Sequence, residues 1–177
     1  MEIEYEVRVL EINKEEFIKK IERLGAKKIG DFEQKRYVYD LVPYKNDSEW
    51  IRLRTNGKKA TLAYKNVEVK TIDGTKELEI EVSDFEVTRE LLEKMGYVHR
   101  NYQENNRTQY ILDDVEIDID SWPLIPTYVE LEGKSKKSVE DIIEKLELDR
   151  TKITALDVQS VYNEYGIDIS KIKTLKF

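Results

Sequence analysis

The chain has no cysteine among its 177 residues, one histidine, three prolines and seven glycines. Without cysteine there is neither a disulfide nor a thiolate metal site. With His99 alone, a histidine-rich metal centre and a Ser-His-Asp triad are both out of reach, and His99 reads as a surface or strand-edge residue. No apolar run approaches the roughly 20 residues of a membrane helix. The opening residues, Met1 to Glu6, alternate acidic and apolar side chains, which no secretory signal does. A cytoplasmic protein with no membrane partner is expected. Phosphate-binding and dinucleotide-binding glycine motifs are missing too. No Pro/Gly/Ser-rich stretch divides the chain, so residues 1–166 read as one domain and 167–177 as a C-terminal tail that packs or frays. Positive charge is in deficit, with 30 bases against 37 acids and a formal net charge of −7. That balance is a poor match for a nucleic-acid partner, whose phosphates favour a basic face.

What the chain does have is charge placed in alternation. Charged residues make up 38% of it, more than surface coverage of a domain this size needs. In Glu2-Ile3-Glu4-Tyr5-Glu6-Val7-Arg8-Val9 every even position is charged and every odd one apolar. Successive strand side chains point to opposite faces, so the four charges share one face. The same period of two runs through Trp50–Arg54, Thr61–Lys65, Glu77–Val82, Val115–Asp120 and Tyr128–Glu132. Longer strands are expected near Lys27–Asp40 and Tyr97–Leu112. Asn56-Gly57 reads as a type I′ hairpin turn.

Helices fall between the strands. Lys14–Leu24 carries Phe17, Ile18, Ile21 and Leu24 on one stripe before Gly25. A second, capped by Ser83 or Asp84, turns Val87, Leu91, Leu92 and Met95 inward before Gly96. A third spans about Ser138–Leu146, and a fourth follows Thr154 with Val158, Val161, Tyr162 and Tyr165. Shifting the chain by 71 positions lays Gly25 on Gly96, Arg36 on Arg107 and Tyr39 on Tyr110. This internal repeat suits a barrel with approximate twofold symmetry.

A sheet with one solvated charged face satisfies the alternation as it stands. Two features argue instead for closure around the charges. The amphipathic helices need an apolar surface, and the outer faces of the strands provide it. The charges are also sorted by strand, with acids on those of Glu2, Glu77, Glu116 and Glu130 and bases on those of Arg52 and Lys65. A solvated sheet mixes signs across strands, and closure removes exposed edges.

In this order the motifs resemble those of the CYTH, or triphosphate tunnel, family. Glu2-Ile3-Glu4 resembles the start of its ExExK signature and Ile51-Arg52-Leu53-Arg54 its strand of paired arginines. Lys65 resembles its tunnel lysine and Arg107 the base on the strand before the last hairpin. Asp120 and Glu130-Leu131-Glu132 resemble its acidic end. The resemblance covers about residues 1–165. It implies an α+β fold, an eight-stranded antiparallel β-barrel with helices packed outside. It also implies that Arg8, Arg52, Arg54, Lys65 and Arg107 hold a triphosphate. Glu2, Glu4, Glu79, Asp120, Glu130 and Glu132 would hold Mg²⁺ or Mn²⁺, hard cations that favour carboxylate oxygen.

With Glu2 and Glu4 as the signature acids, the favoured register, the chain departs from the pattern at Glu6, where the signature has lysine (with Glu4 and Glu6 as the acids, Arg8 takes the basic role). It departs also at Asn105, where many relatives carry a base, and at Trp122–Pro126, which replaces a glycine-rich stretch. The resulting expectation is metal-dependent hydrolysis of a triphosphate, whether inorganic tripolyphosphate or a nucleoside or thiamine triphosphate. A class IV adenylate cyclase, a non-catalytic binder of polyphosphate or nucleotide, and a plain structural barrel stand as alternatives. No catalytic residue is assigned, and the oligomeric state stays open, a dimer included.

Overall fold

The computed structural model describes residues 1–177. Eight strands do the main work: β1 (Glu2–Val9), β2 (Lys27–Asp40), β3 (Glu49–Thr55), β4 (Ala60–Val67), β5 (Thr75–Val82), β6 (His99–Leu112), β7 (Val115–Ser121) and β8 (Tyr128–Gly133). They pair antiparallel in the order β6-β2-β3-β4-β5-β1-β8-β7, and β7 returns to β6 to close the barrel. The two-residue strands β9 (Ile153–Thr154) and β10 (Thr174–Leu175) add to β1 and β6.

Period-two alternation turns the apolar side chains outward, and helices α1 (Lys14–Arg23) and α3 (Lys136–Lys145) cover them. The largest core forms there, with Ile117, Ile119 and Leu131 of the barrel wall against Ile21, Ile142 and Leu146. Helix α2 (Phe85–Lys94) covers β2 and β3 through Leu92, Tyr39 and Leu53. The expected inward stripe of α2 is only partly realised. Leu92 is buried, whereas Val87, Leu91 and Met95 are about 60% exposed. The helix lies on the sheet along its Phe85–Leu92 side, and the other three residues fall on its flank, away from the contact.

Each helix starts on a side-chain cap that accepts an otherwise orphaned backbone N–H: Asn13 for α1, Asp84 for α2, Ser135 for α3, and Asp157 for α4 (Val158–Glu164). The Ser135–Ser138 capping box starts α3 at Lys136, two residues before the sequence-based start. The Asn56-Gly57 connection is not type I′, since Gly57 has positive φ and Asn56 does not. The Asn56 Oδ1 accepts from the amides of Lys58 and Lys59 and holds a longer loop.

The internal repeat is carried by the backbone register. On the long β2–β6 pair, Arg36 faces Gln103 and Phe32 faces Arg107, two pairs related by the 71-residue shift. The two irregularities in that pairing leave Ile29 and Arg100 unmatched, again 71 positions apart. Of the two outcomes open to residues 167–177, packing and fraying, the structure shows packing. These residues form a short 3₁₀ turn (Ile169–Lys171) and β10, and Ile169 and Leu175 are buried beside Trp122, Val161 and Tyr162. The chain from Leu156 onward packs against one end of the barrel. Arg8 Nη1 donates to Leu156 O at 2.7 Å, and Asn101 Nδ2 donates to Ile169 O at 3.2 Å.

Candidate functional site

The barrel encloses a cavity of about 430 Å³ lined mostly by charged side chains, within the size range of small-molecule sites. The C-terminal segment just described packs against one end. Glu2, Glu79 and Glu116 are exposed at the other end, and charges become more buried inward.

Ion pairs tie most of these charges together. Arg107 bridges Asp118, Asp120 (2.6 Å) and Glu130 (3.4 Å). Arg8 lies between Glu130 and Glu6, 3.2 Å from the latter. Arg52 donates to Glu77 at 2.9 Å and to Glu79 at 3.0 Å, and Arg54 reaches Glu79 at 3.5 Å. Lys65 lies 2.8 Å from Glu4 and 3.7 Å from Glu77. Burial opposes the charge of Glu130, but Arg8 and Arg107 outweigh it and hold the carboxylate far below the usual range.

Other carboxylates are less well neutralised. Burial, together with Glu130, Glu4 and Glu6, pushes Glu132 up to about 8. Burial and a hydrogen bond with Glu77 push Glu4 up to about 7 against the pull of Lys65. Burial likewise pushes Asp118 up to about 7, against Arg107, and its Oδ1 accepts no hydrogen bond. On the basic side, burial and the neighbouring Arg52 and Arg107 lower Arg54 to about 10. The tunnel is thus polarised, with acids whose ionisation is opposed at Glu4, Glu132 and Asp118 and a base whose charge is opposed at Arg54.

Buried donors without acceptors mark the same walls. Arg8, Arg36, Arg52, Thr61, Trp122 and Tyr128 line the cavity, and each has one buried polar atom, Nε of the three arginines, Thr61 Oγ1, Trp122 Nε1 and Tyr128 OH, without a hydrogen-bond partner. Such groups are costly to leave without a partner.

All five bases expected at the site line the cavity, as do Glu4, Glu79, Asp120, Glu130 and Glu132. Glu2 sits at the exposed mouth instead. Asp120 and Glu130, read as metal ligands, are engaged by arginines, and Arg8, read as a phosphate ligand, is engaged by Glu6, Glu130 and Leu156 O. Glu6, at the usual lysine position, accepts from Arg8 Nη2 and from Thr75 Oγ1 (3.3 Å). Sequence reasoning did not enrol Arg36, Glu77 or Asp118. Asp118 shares the strand face of Asp120, and the internal repeat already laid Arg36 on Arg107. Asn105 accepts from Arg36 and donates to Asp120 at 3.1 Å.

No three acidic or histidine side chains are close enough to form a ready-made metal site. The donor chemistry nonetheless fits a hard cation. It is oxygen only, and Glu132 and Glu4 face one another's charge without full neutralisation, which a divalent ion relieves.

Comparison with known proteins agrees with this architecture. The model of the CYTH domain matches residues 2–160. A Methanocaldococcus jannaschii protein named "Putative adenylate cyclase MJ0240" is 27% identical over 150 residues, 81% of each chain. The PH1012 protein from Pyrococcus horikoshii superposes with a TM-score of 0.76 at 26% identity, over 88% of this chain and 96% of that one. HpAC1 from Hippeastrum, described as revealing a dominant triphosphatase activity, superposes with a TM-score of 0.64 at 15% identity, over 97% of this chain and 99% of that one. With a closed eight-stranded barrel, outer helices and a family match along most of its length, the chain belongs to the CYTH domain family.

Proposed function

We propose that the tunnel binds a triphosphate-containing small molecule with Mg²⁺ or Mn²⁺ and hydrolyses its terminal phosphoanhydride. The observation that carries this reading is the polarised interior, where residues with unpartnered buried donors line the same cavity as carboxylates whose ionisation is opposed by burial and by neighbouring acids. A triphosphate supplies acceptor oxygens to the first set, and a divalent cation supplies charge to the second. Arg52 and Arg54 suit bidentate recognition of phosphoryl oxygens, and Lys65 adds a point charge. Glu4, Glu132 and Asp118 are the carboxylates with charge to share. A bound cation would neutralise phosphate oxygens and acidify a water molecule. The chain's own task is positioning, since phosphoryl transfer asks for alignment and charge compensation more than for covalent help. In the net reaction, water oxygen bonds to the terminal phosphorus, the bridging P–O bond breaks, and orthophosphate leaves a diphosphate behind.

The name of the M. jannaschii relative favours a second reading, intramolecular attack by a ribose 3′-hydroxyl on the α-phosphorus of ATP. The two readings separate by product. Incubation with tripolyphosphate or ATP, each with Mg²⁺ or Mn²⁺, is expected to release orthophosphate without cyclic AMP. Cyclic AMP with pyrophosphate would replace the hydrolase reading by the cyclase. Tight binding without turnover under any metal would leave a binding protein.

A further inference from the structure

Arg36 is a buried cation of the tunnel with no anion of its own. It is 5% exposed, and its Nη2 donates to Gln34 Oε1 at 2.8 Å and to Asn105 Oδ1, both neutral groups. Its guanidinium lies 4.5 Å from the ring centre of Trp122. Its Nε has no partner at all.

The internal symmetry shows how unequal its position is. Arg36 on β2 corresponds to Arg107 on β6. Arg107 stands opposite Asp120 on the next strand, and the same step from Arg36 arrives at Arg54. Two residues along, Asp118 in one half corresponds to Arg52 in the other. One strand further, Glu130 faces Asp118 where Ala63 faces Arg52. Arg107 therefore receives three carboxylates, and its counterpart Arg36 receives two more guanidiniums and a methyl group. Burial and the fields of Arg54, Arg52 and Arg107 drive the Arg36 guanidinium well below its usual pKa. An uncompensated buried charge is among the most costly features a fold can carry, and the field of Asp120 offsets this one only in part.

We propose that Arg36 is an anion-binding residue, and that with Arg54 and Arg52 it forms a phosphoryl subsite whose negative charge comes from the ligand instead of from the chain. The inference rests on the triphosphate reading of the tunnel and adds a residue to it. Asn105 is the positioning residue. It accepts from the Arg36 fork and donates to Asp120 Oδ1, so the orientation of Arg36 is tied to the Asp120–Arg107 pair. Trp122 supports the guanidinium from one face, and the residue lines the cavity.

The test is a titration of the full chain with tripolyphosphate, with and without Mg²⁺, for wild type and Arg36→Gln, beside the melting temperature of each ligand-free protein. The expected result is an affinity about ten- to hundredfold lower for Arg36→Gln, with a ligand-free melting temperature no lower than wild type. A merely structural arginine would lower stability and affinity together, and that result overturns the proposal. An affinity within about twofold of wild type overturns it as well. Should Arg36→Gln fail to fold, Arg36→Lys decides, because it keeps the charge and loses the planar fork. It is expected to bind about tenfold more weakly, and wild-type affinity would overturn the assignment. Wild-type protein that binds no tripolyphosphate under either condition removes the tunnel reading itself, a different failure from a variant that binds as well as wild type.

Discussion

Two charged residues a short distance apart on the same inner surface are expected to respond to substitution with opposite signs. Arg107 holds three carboxylates, Asp118, Asp120 and Glu130, in a setting where it is 10% exposed at its side chain. Removing it leaves those acids without their counter-charge, and breaking a buried pair in this way costs about 3–5 kcal/mol. Arg107→Ala should therefore lower the urea midpoint sharply. Glu132 is in the reverse situation, pushed up by burial and by the acids around it. Glu132→Gln removes a repelling charge and keeps the shape, so the ligand-free protein should become more stable while Mg²⁺ binding weakens. Equal destabilisation by both substitutions would sink this account of the tunnel charges. The contrast also shows where residue-level reading of the sequence stops. Alternation identified the face of Asp120, Glu130 and Glu132 correctly. It carries no information on which acid meets an arginine, because that is decided by neighbours on strands far away in the chain.

At the scale of elements, strands and helix caps follow from local chemistry, and the packing of individual helices does not. Period two located the barrel strands, and Asn13, Asp84 and Asp157 cap helices as their side chains allow. The irregularities at Ile29 and Arg100 were not legible, since an extra residue in a long strand leaves its composition unchanged. Helix α2 is the clearest departure. Its apolar side chains span two sides of the helix, and only the Leu92 side meets the sheet. The consequence is measurable by thermal unfolding. Leu92→Ala should cost about 2–5 kcal/mol through the lost contacts and the cavity left behind. Leu91→Lys, one residue away and largely exposed, should stay within about 0.5 kcal/mol of wild type. A large loss from Leu91→Lys would mean that this flank is covered in solution.

For the whole molecule, the separation of charge inside the barrel predicts how stability depends on pH and on divalent cations. In the folded chain Glu132 is pushed up to about 8, and Glu4 and Asp118 to about 7. In an unfolded chain such acids titrate near about 4. Between these limits the folded state binds protons that the unfolded state has already released, so stability falls as pH rises. Glu130, held below its usual range by Arg8 and Arg107, and Glu77, held there by its hydrogen bond with Glu4 and then by Arg52 and Lys65, act in the opposite sense. Their contribution is complete above the unfolded value near about 4.5, and it stays flat at neutral pH. With chelator present, the melting temperature should therefore drop by several degrees between about pH 5.5 and about pH 8.5. A divalent cation held by Glu4 and Glu132 needs them deprotonated and removes the repulsion that deprotonation creates. Added Mg²⁺ should accordingly raise the melting temperature far more at the alkaline end than at the acidic end, and so flatten the profile. A profile flat without metal would refute the unneutralised carboxylates. A Mg²⁺ effect of equal size at both ends would place the cation away from them.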